Sequence, residues 1–202
     1  NDPYGRNFAG LPPAKSGDFA WVQHMLKSMA RKTGRMAVVL PHGVLFRMSK
    51  EGEIRRKLLG MDILEAVIGL GQNIFYGTGL APCVLVFRDN KPKAHRQKVL
   101  FIDASKAFKS GRAQNELLPE HVNNIHRWYE GYQDVEGLCR VVTLDEIREN
   151  DFNLNIPRYV EPVIEEESMT IDQAITNLRE SLQAAYAAED RLKELLLREG
   201  LL

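Results

Sequence analysis

The sequence has few cysteines and no long apolar run. Cys83 and Cys139 are the two cysteines among 202 residues, too few for a disulfide framework, and they lack the spacing of a zinc site. We therefore expect no metal centre and a reducing, cytoplasmic location. No apolar run approaches the roughly 20 residues that cross a bilayer, and no basic-then-apolar signal segment opens the chain. We expect a protein without membrane contact.

The sequence also has no excess of either charge. Lys+Arg and Asp+Glu both total 27, so the formal net charge is zero. This balance excludes a protein that binds nucleic acid through its overall charge, and any such surface must be a local patch. Apolar residues make up 44% of the chain, enough for the core of one sizeable domain with an appendage.

Helical and extended patterns alternate through the first half of the chain. The apolar spacing predicts a helix that Asp18 caps and that ends near Gly34, and the continuous apolar run 35–40 predicts a strand buried on both faces. A crossover helix over 49–60 and strands over 64–70, 83–87 and 98–103 follow. The connection between 70 and 83 is too short for a crossover helix, so it predicts antiparallel neighbours. The strand over 98–103 is predicted at an edge of the sheet, and the alternation of strands and helices predicts an α/β layer fold.

The sequence patterns in the second half of the chain predict elements that flank this sheet. They are a basic loop over 106–114, a helix over 119–129 with Pro119 in its first turn, a short helix whose capping box is Thr143–Glu146, and an extended segment over 151–160. An acidic linker over 161–169 then separates a first domain, 1–160, from an amphipathic helix over 170–202.

This last helix has a heptad seam. Thr170 and Gln173 form its capping box, and Glu189 interrupts the seam where it could set register against a partner. A narrow apolar stripe either packs back on its own domain or meets another helix, and its length after an acidic spacer favours an external partner. The residues predicted to contact another subunit are Ile171, Ile175, Leu178, Leu182, Leu192 and Leu196.

Two adjacent aromatic residues, Phe75 and Tyr76, lie on a glycine-bounded loop between two apolar strands. Exposed rings on such a loop would suit a ligand with flat faces, such as a nucleobase. The alternative is that both rings fold back as a plug over the end of the sheet. If the two rings stack on bases, a further hypothesis is that the chain is a stand-alone binder of single-stranded nucleic acid.

Several short strings follow one another along the chain in a fixed order. They are Asp2–Arg6, Pro12–Pro13, Asp18–Met25, Gly34–Arg35, Pro41–Phe46, Asn73–Gly79, Phe101–Ala104 and Asn155–Tyr159. Single strings recur by chance, but their shared order is specific and covers nearly the whole chain. In this order they resemble the C-terminal half of the modification subunit of type I restriction-modification systems, an adenine-N6 DNA methyltransferase.

The resemblance implies a doubly wound, S-adenosylmethionine-dependent methyltransferase sheet that ends in an antiparallel hairpin, with a helical C-terminal extension. It implies transfer of a methyl group to adenine N6 in DNA, with sequence choice made by a specificity subunit that the last helix contacts. A second modification subunit and a restriction subunit complete the implied assembly. The alternative from another class is a catalytically silent interaction module that acts through its C-terminal helix.

The family's glycine-rich cofactor loop and its catalytic tetrad both lie upstream of the residues present. Asn1–Tyr4 looks like that tetrad but lacks its second proline, so we interpret it as a chance likeness. We therefore expect a fragment with no catalytic residue of its own, inactive alone, and S-adenosylmethionine bound mainly by upstream residues.

Site residues follow from the resemblance and from the charge pattern. Phe75 and Tyr76 are expected to stack on the flipped base, and Gly77 and Gly79 to let the loop backbone turn around it. Cofactor contacts are expected from Phe19, Trp21 and Pro41, although Phe19 and Trp21 are equally open to simple helix packing.

Two basic clusters are candidates for phosphate contact, and simple solvated turns are the alternative for both. The predicted phosphate contacts come from the denser cluster, and a second cluster follows it. The first is Lys91, Lys93, Arg96 and Lys98, and the second is Lys106, Lys109 and Arg112.

Overall fold

The structure, a computed structural model, describes residues 2–161 and 170–199. The chain divides into two compact units, residues 1–163 and 164–202. The first unit is a five-stranded mixed sheet with helices on both faces, and the described residues of the second contain one long helix. The predicted linker lies almost entirely outside the described residues, so the predicted domain boundaries stay a prediction.

The helices and strands alternate as an α/β fold requires. In chain order they are α1 (Asp18–Ser28), β1 (Arg35–Pro41), α2 (Lys50–Gly60), β2 (Leu64–Leu70), β3 (Pro82–Arg88), β4 (Lys98–Ala104), α3 (Pro119–Gly131), β5 (Cys139–Thr143), α4 (Leu144–Glu149) and α5 (Ile171–Arg198). Short 3-10 helices cover His42–Leu45, Lys93–His95 and Ile156–Arg158. No helix among the described residues is both long enough and apolar enough to span a bilayer.

The strand order is β1-β3-β2-β4-β5. The predicted antiparallel pairing of β2 with β3 is confirmed, and β3 also pairs antiparallel with β1. β2 and β4 run parallel, and β5 closes the sheet antiparallel to β4. The hairpin is therefore followed by two further strands on the side of β2.

Alternate side chains of each strand supply two cores. Val67, Leu85, Val99 and Phe101 face the core shared with α1 and α2. The other core contains alternate residues of β2 and β4, and those of β2 are Ala66, Ile68 and Leu70. α3 packs against this core through the partly buried side chains of Ile125, Trp128 and Tyr129.

Two strand predictions are wrong. β1 is not buried on both faces: Ala37 and Val39 on one face are exposed, and only Leu40 is buried. A continuous apolar run does not by itself tell which faces of a strand are covered. β4 is not an edge strand, because β5 covers its far side and residues 99–102 are fully buried. The five residues of β5 contain Arg140 and are too short to stand out in the sequence.

The first helix is shorter than predicted. α1 ends at Ser28, and the segment 30–34 forms a turn in which the Gly34 amide donates to the Ala30 carbonyl at 2.9 Å. Lys32 has a positive φ of 67°, and its amide donates to Asp89 at 2.6 Å. Asp18 does not cap the helix; it is the first helical residue and pairs with Arg47 at 3.1 Å.

The segment 151–160 is not extended. It forms turns and a 3-10 helix that insert Ile156, Tyr159 and Val160 into the core. The Tyr159 ring lies 4.3 Å from the Phe101 ring, centroid to centroid. The close approach of Ile156 explains Gly69 in β2, because a Cβ there would lie 2.5 Å from the Ile156 Cδ1.

Candidate nucleic-acid interface

Several strand ends meet at one edge of the sheet. Pro41 at the end of β1 is paired with Pro82 at the start of β3, and β2 and β4 end side by side at Leu70 and Ala104. The register therefore brings the aromatic loop beside the segments that follow β1 and β4. We call this edge the aromatic edge; it comprises residues 41–46, 71–81 and 105–116.

Both rings of the loop reach solvent. Tyr76 is 96% exposed and Phe75 is 43% exposed. The alternative of an aromatic plug is therefore wrong for Tyr76. Ile74 is partly buried against the core beneath α3, so the loop is anchored one residue before the exposed pair. The two rings are thus held at the surface by a side chain that points inward.

The loop backbone needs a glycine at one of the two predicted positions. Gly77 has a positive φ of 80°, a conformation that favours glycine. Gly79 lies outside that region, and a Cβ at either position would meet open space. The conformational reason for glycine therefore applies to Gly77 alone. Asn73, with a φ of 57°, makes the first turn of the loop.

His42 lies at the aromatic edge, directly after the end of β1. Its amide donates to the Ala81 carbonyl at 3.2 Å, next to the aromatic loop. Burial lowers the pKa of His42, and the charge of Asp103 acts in the opposite direction. The net direction of the pKa is downward, so the environment favours the neutral imidazole.

The three predicted cofactor residues do not form a site together. Phe19 is 1% exposed and lies in the core between α1 and the sheet, so its prediction as a cofactor contact is wrong. Trp21 is 68% exposed, and Pro41 is exposed at the end of β1. An exposed ring and a proline do not enclose a ligand, so the described residues do not fit a complete S-adenosylmethionine site.

Lys91 is not a phosphate contact. Its side chain is buried, and its Nζ pairs with Asp62 at 2.6 Å and donates to the Leu64 and Lys98 carbonyls at 2.9 and 2.7 Å. Burial lowers the pKa of Lys91, while the hydrogen bond and charge of Asp62 act against that shift. All three ammonium donors are satisfied inside the protein, so this prediction is wrong. Lys91 joins the start of β2 to the start of β4.

The other members of that cluster are exposed but lie at the opposite end of the sheet. Lys93 and Arg96 follow the end of β3, and Lys98 begins β4. β3 starts at the aromatic edge and runs away from it, and β4 runs toward it. A seven-residue strand separates the two ends, which is about 20 Å. These cations therefore do not share a surface with Phe75.

The predicted seam of α5 is open to solvent. Thr170 and Gln173 form the predicted capping box, with reciprocal hydrogen bonds of 3.3 and 3.0 Å. Glu189, which interrupts the seam, pairs with Lys193 at 2.7 Å. Leu196 is partly exposed, and the other predicted contact residues are exposed between 41% and 79%. These are Ile171, Ile175, Leu178, Leu182 and Leu192.

A sequence profile described as N-6 DNA methylase matches residues 1–168. The chain belongs to this family. It is 40% identical over 190 residues to the type I restriction enzyme MjaVII methylase subunit of Methanocaldococcus jannaschii, covering 93% of this chain and 31% of that protein. It is 29% identical to the HindI methylase subunit of Haemophilus influenzae, covering 91% of this chain and 43% of that one. The resemblance to type I modification subunits is confirmed.

Solved structures agree with this assignment. The methyltransferase subunit of a type I restriction-modification system from Streptococcus thermophilus superposes with a TM-score of 0.74 at 41% identity, over 79% of this chain and 34% of that one. The EcoKI M protein shares the fold, with a TM-score of 0.59 at 21% identity. This family member thus spans about a third of the length of the first curated relatives.

Proposed function

We propose that this chain is the part of a type I modification subunit that holds the target base during methylation of adenine N6 in DNA. The observation that carries the proposal is the exposed pair Phe75 and Tyr76, anchored through Ile74 at the edge where the strands of a methylase-family sheet end. Methylation of a base inside a duplex requires that the base leave the stack, and a flipped base is read partly by stacking on aromatic faces.

The two rings differ in how they are held. Phe75 is about half covered, so its orientation is restrained and it offers a preorganised face. Tyr76 is almost fully exposed and is free to close over the second face of a base. Stacking of a base on an aromatic side chain contributes roughly 1–3 kcal/mol, which offsets part of the few kcal/mol that extruding an adenine from the duplex costs. Phe75 is therefore the first choice for the stacking residue.

Cofactor binding and methyl transfer depend on residues outside the 202 residues of this chain. When bound, S-adenosylmethionine supplies the methyl group, and we propose that upstream residues of the subunit hold most of it, with Trp21 and Pro41 as peripheral contacts at most. No described residue is assigned as catalytic, and we propose that this chain alone is inactive. His42 lies beside the loop through its backbone, because its amide donates to the Ala81 carbonyl.

The proposed partners follow from the same assignment. They are DNA, a specificity subunit that contacts the seam of α5, a second modification subunit and a restriction subunit. The open apolar seam supports the second of these, because an amphipathic helix gains stability by burying its stripe. Cys83 and Cys139 are both free and buried, which supports a reducing, cytoplasmic location.

Base stacking is tested with two single-stranded oligonucleotides that differ at one position, a central adenine or an abasic site. Fluorescence anisotropy with the 202-residue chain would give both dissociation constants. We expect tighter binding of the adenine strand by roughly 5- to 150-fold, which corresponds to the stacking energy of about 1–3 kcal/mol. Phe75→Ala should remove most of this difference.

The matched control is Leu80→Ala, which removes an exposed apolar side chain from the same loop without removing a ring. It should leave the preference for adenine unchanged. Equal affinity for the two strands, or a preference that survives in the double variant Phe75→Ala/Tyr76→Ala, would contradict the proposed role of the rings.

A further inference from the structure

The loop that follows β4 lies beside the aromatic loop and is bound to it. β2 and β4 are parallel neighbours whose last paired residues are Leu70 with Ala104, so the segments 71–81 and 105–116 leave the sheet side by side. The sequence reveals no relation between these segments, because the whole of β3 and its connection to β4 lie between them.

Four hydrogen bonds join the two loops. The Asn115 amide donates to the Asn73 carbonyl at 2.8 Å, and its side chain donates to the Gln72 carbonyl at 2.9 Å. The Asn73 side chain donates in return to the Ala113 carbonyl at 3.2 Å, and the Gln114 side chain donates to the Ile74 carbonyl. These bonds hold the backbone immediately before Phe75, so the second loop positions the first.

The second loop has a defined shape of its own. Lys109 and Glu116 exchange backbone hydrogen bonds of 2.8 and 2.9 Å, which closes residues 109–116 into a small hairpin. The Phe108 ring covers Gly71 so closely that a Cβ there would lie 2.4 Å from its Cδ1. Side chains at the tip of this hairpin are therefore presented from a fixed base.

The loop after β4, residues 105–116, carries the positive charge of the aromatic edge. Lys106, Lys109 and Arg112 are exposed, and within the described residues none of them makes an ion pair. Glu116 is the one carboxylate in 105–116, and the aromatic loop 71–81 has no charged residue. The two loops together thus present three cations and one carboxylate around two exposed rings.

We propose that Lys106, Lys109 and Arg112 bind the phosphates that flank the base held by Phe75. This inference deepens the proposed function and rests on it. When a base of a nucleic-acid strand stacks on Phe75, the phosphates of that nucleotide and its neighbours lie close to the aromatic loop. Cations without an ion-pair partner on the adjoining loop are placed to bind those phosphates. Lys93, Arg96 and Lys98 lie about 20 Å away, a seven-residue strand from this edge.

The test compares two triple variants of the 202-residue chain that lose the same charge. One is Lys106→Gln/Lys109→Gln/Arg112→Gln at the aromatic edge, and its matched control is Lys93→Gln/Arg96→Gln/Lys98→Gln at the opposite edge. Binding of the adenine-containing single strand is measured from about 50 to 200 mM salt. Each phosphate contact on a single strand contributes about 0.7 to the slope of log K against log salt. We expect the magnitude of this slope to decrease by about 2 in the aromatic-edge variant and to stay unchanged in the control.

The outcomes separate this inference from the proposed function. An equal change in both variants, or a larger change in the control, would overturn the phosphate assignment. If the adenine preference persists and depends on Phe75 while the aromatic-edge variant keeps the unaltered slope, this inference fails and the base-holding function stands. If the slope changes as expected but Phe75→Ala leaves the preference for adenine unchanged, the proposed base stacking is wrong. The assignment of the three cations as a phosphate-binding surface then remains. Absence of any binding by the unaltered chain would overturn both.

Discussion

At the scale of single residues, buried charges organise the first unit. The side chain of Glu65, in β2, is 1% exposed. An unpaired carboxylate buried to this extent would cost a large amount of folding free energy. The Tyr129 hydroxyl donates to it at 2.6 Å, Arg88 pairs with it at 2.9 Å, and the His95 ring lies 3.3 Å away. This carboxylate therefore joins β2, β3 and α3.

The environment of Glu65 sets its titration. Burial acts to raise its pKa, but hydrogen bonds from Tyr129 and His95 and the charge of Arg88 outweigh it. The net pKa lies below the ordinary value of 4.5. The ionised form is thus favoured in the folded state. Its contribution to stability is present above pH 4.5 and is lost as the pH falls through the lower folded pKa.

We predict that Glu65→Gln flattens the acid limb of the stability profile. Urea unfolding from pH 7 down to about pH 3 should show the unaltered chain losing free energy of unfolding below pH 4.5. The variant should start lower by about 1–3 kcal/mol, because Arg88 loses its charged partner, and then change less over that window. The control is Glu53→Gln, an exposed carboxylate on α2. An acid limb of the same steepness in Glu65→Gln would contradict this assignment.

At the scale of elements, the loops of the aromatic edge depend on contacts that span the chain. The aromatic loop rests on the loop after β4 through Phe108 and Asn115. Gly71 is the position where the two come closest: a Cβ there would meet the Ser105 carbonyl at 2.9 Å as well as the Phe108 ring. A backbone atom cannot move aside as a flexible side chain can, so the two loops would have to separate.

We predict that Gly71→Ala destabilises the first unit by about 1–3 kcal/mol, the usual cost of inserting a carbon into a filled space. It should also weaken binding of the adenine strand, because the support of Phe75 shifts. Gly79→Ala is the matched control in the same connection, since a Cβ at that position meets open space. Thermal unfolding and anisotropy would measure both effects. Equal behaviour of the two variants would show that the loops are not tightly joined at Gly71.

At the scale of the whole molecule, the two units differ in how they bury apolar surface. The first has two cores on the faces of its sheet. In the second, every described residue of α5 is exposed except Leu196, which is partly so. A 28-residue helix with its apolar stripe in water has little tertiary packing to stabilise it, which is the physical basis of the proposed partner helix.

We predict that Leu178→Glu/Leu182→Glu abolishes a complex with the specificity subunit and leaves the unfolding of the first unit unchanged. Two carboxylates in the centre of the seam would have to be desolvated in the complex. The control is Ala184→Glu/Ala187→Glu, which adds the same charge on the opposite side of the helix. Sedimentation of the mixture with the specificity subunit is the measurement. An intact complex in the seam variant, or self-association of the chain that the seam variant removes, would contradict this partner.

The sequence by itself determined the family, the α/β class and most of the elements. The ordered strings identified the modification subunits, and the short connection between β2 and β3 predicted their antiparallel pairing, because a tight connection allows no other. Local signals such as the capping box at Thr170 and the proline that starts α3 were also sufficient, since both act within one helical turn.

The tertiary structure alone decided strand neighbours, burial and the grouping of charges. The sequence did not reveal that one face of β1 is exposed, because an apolar run carries no information about what covers each face. It did not separate the buried Lys91 from the exposed cations of the same cluster, since the distinction depends on Asp62 and on two carbonyls from other segments. It did not join the hairpin 109–116 to the aromatic loop, because that contact arises only from the parallel pairing of β2 with β4.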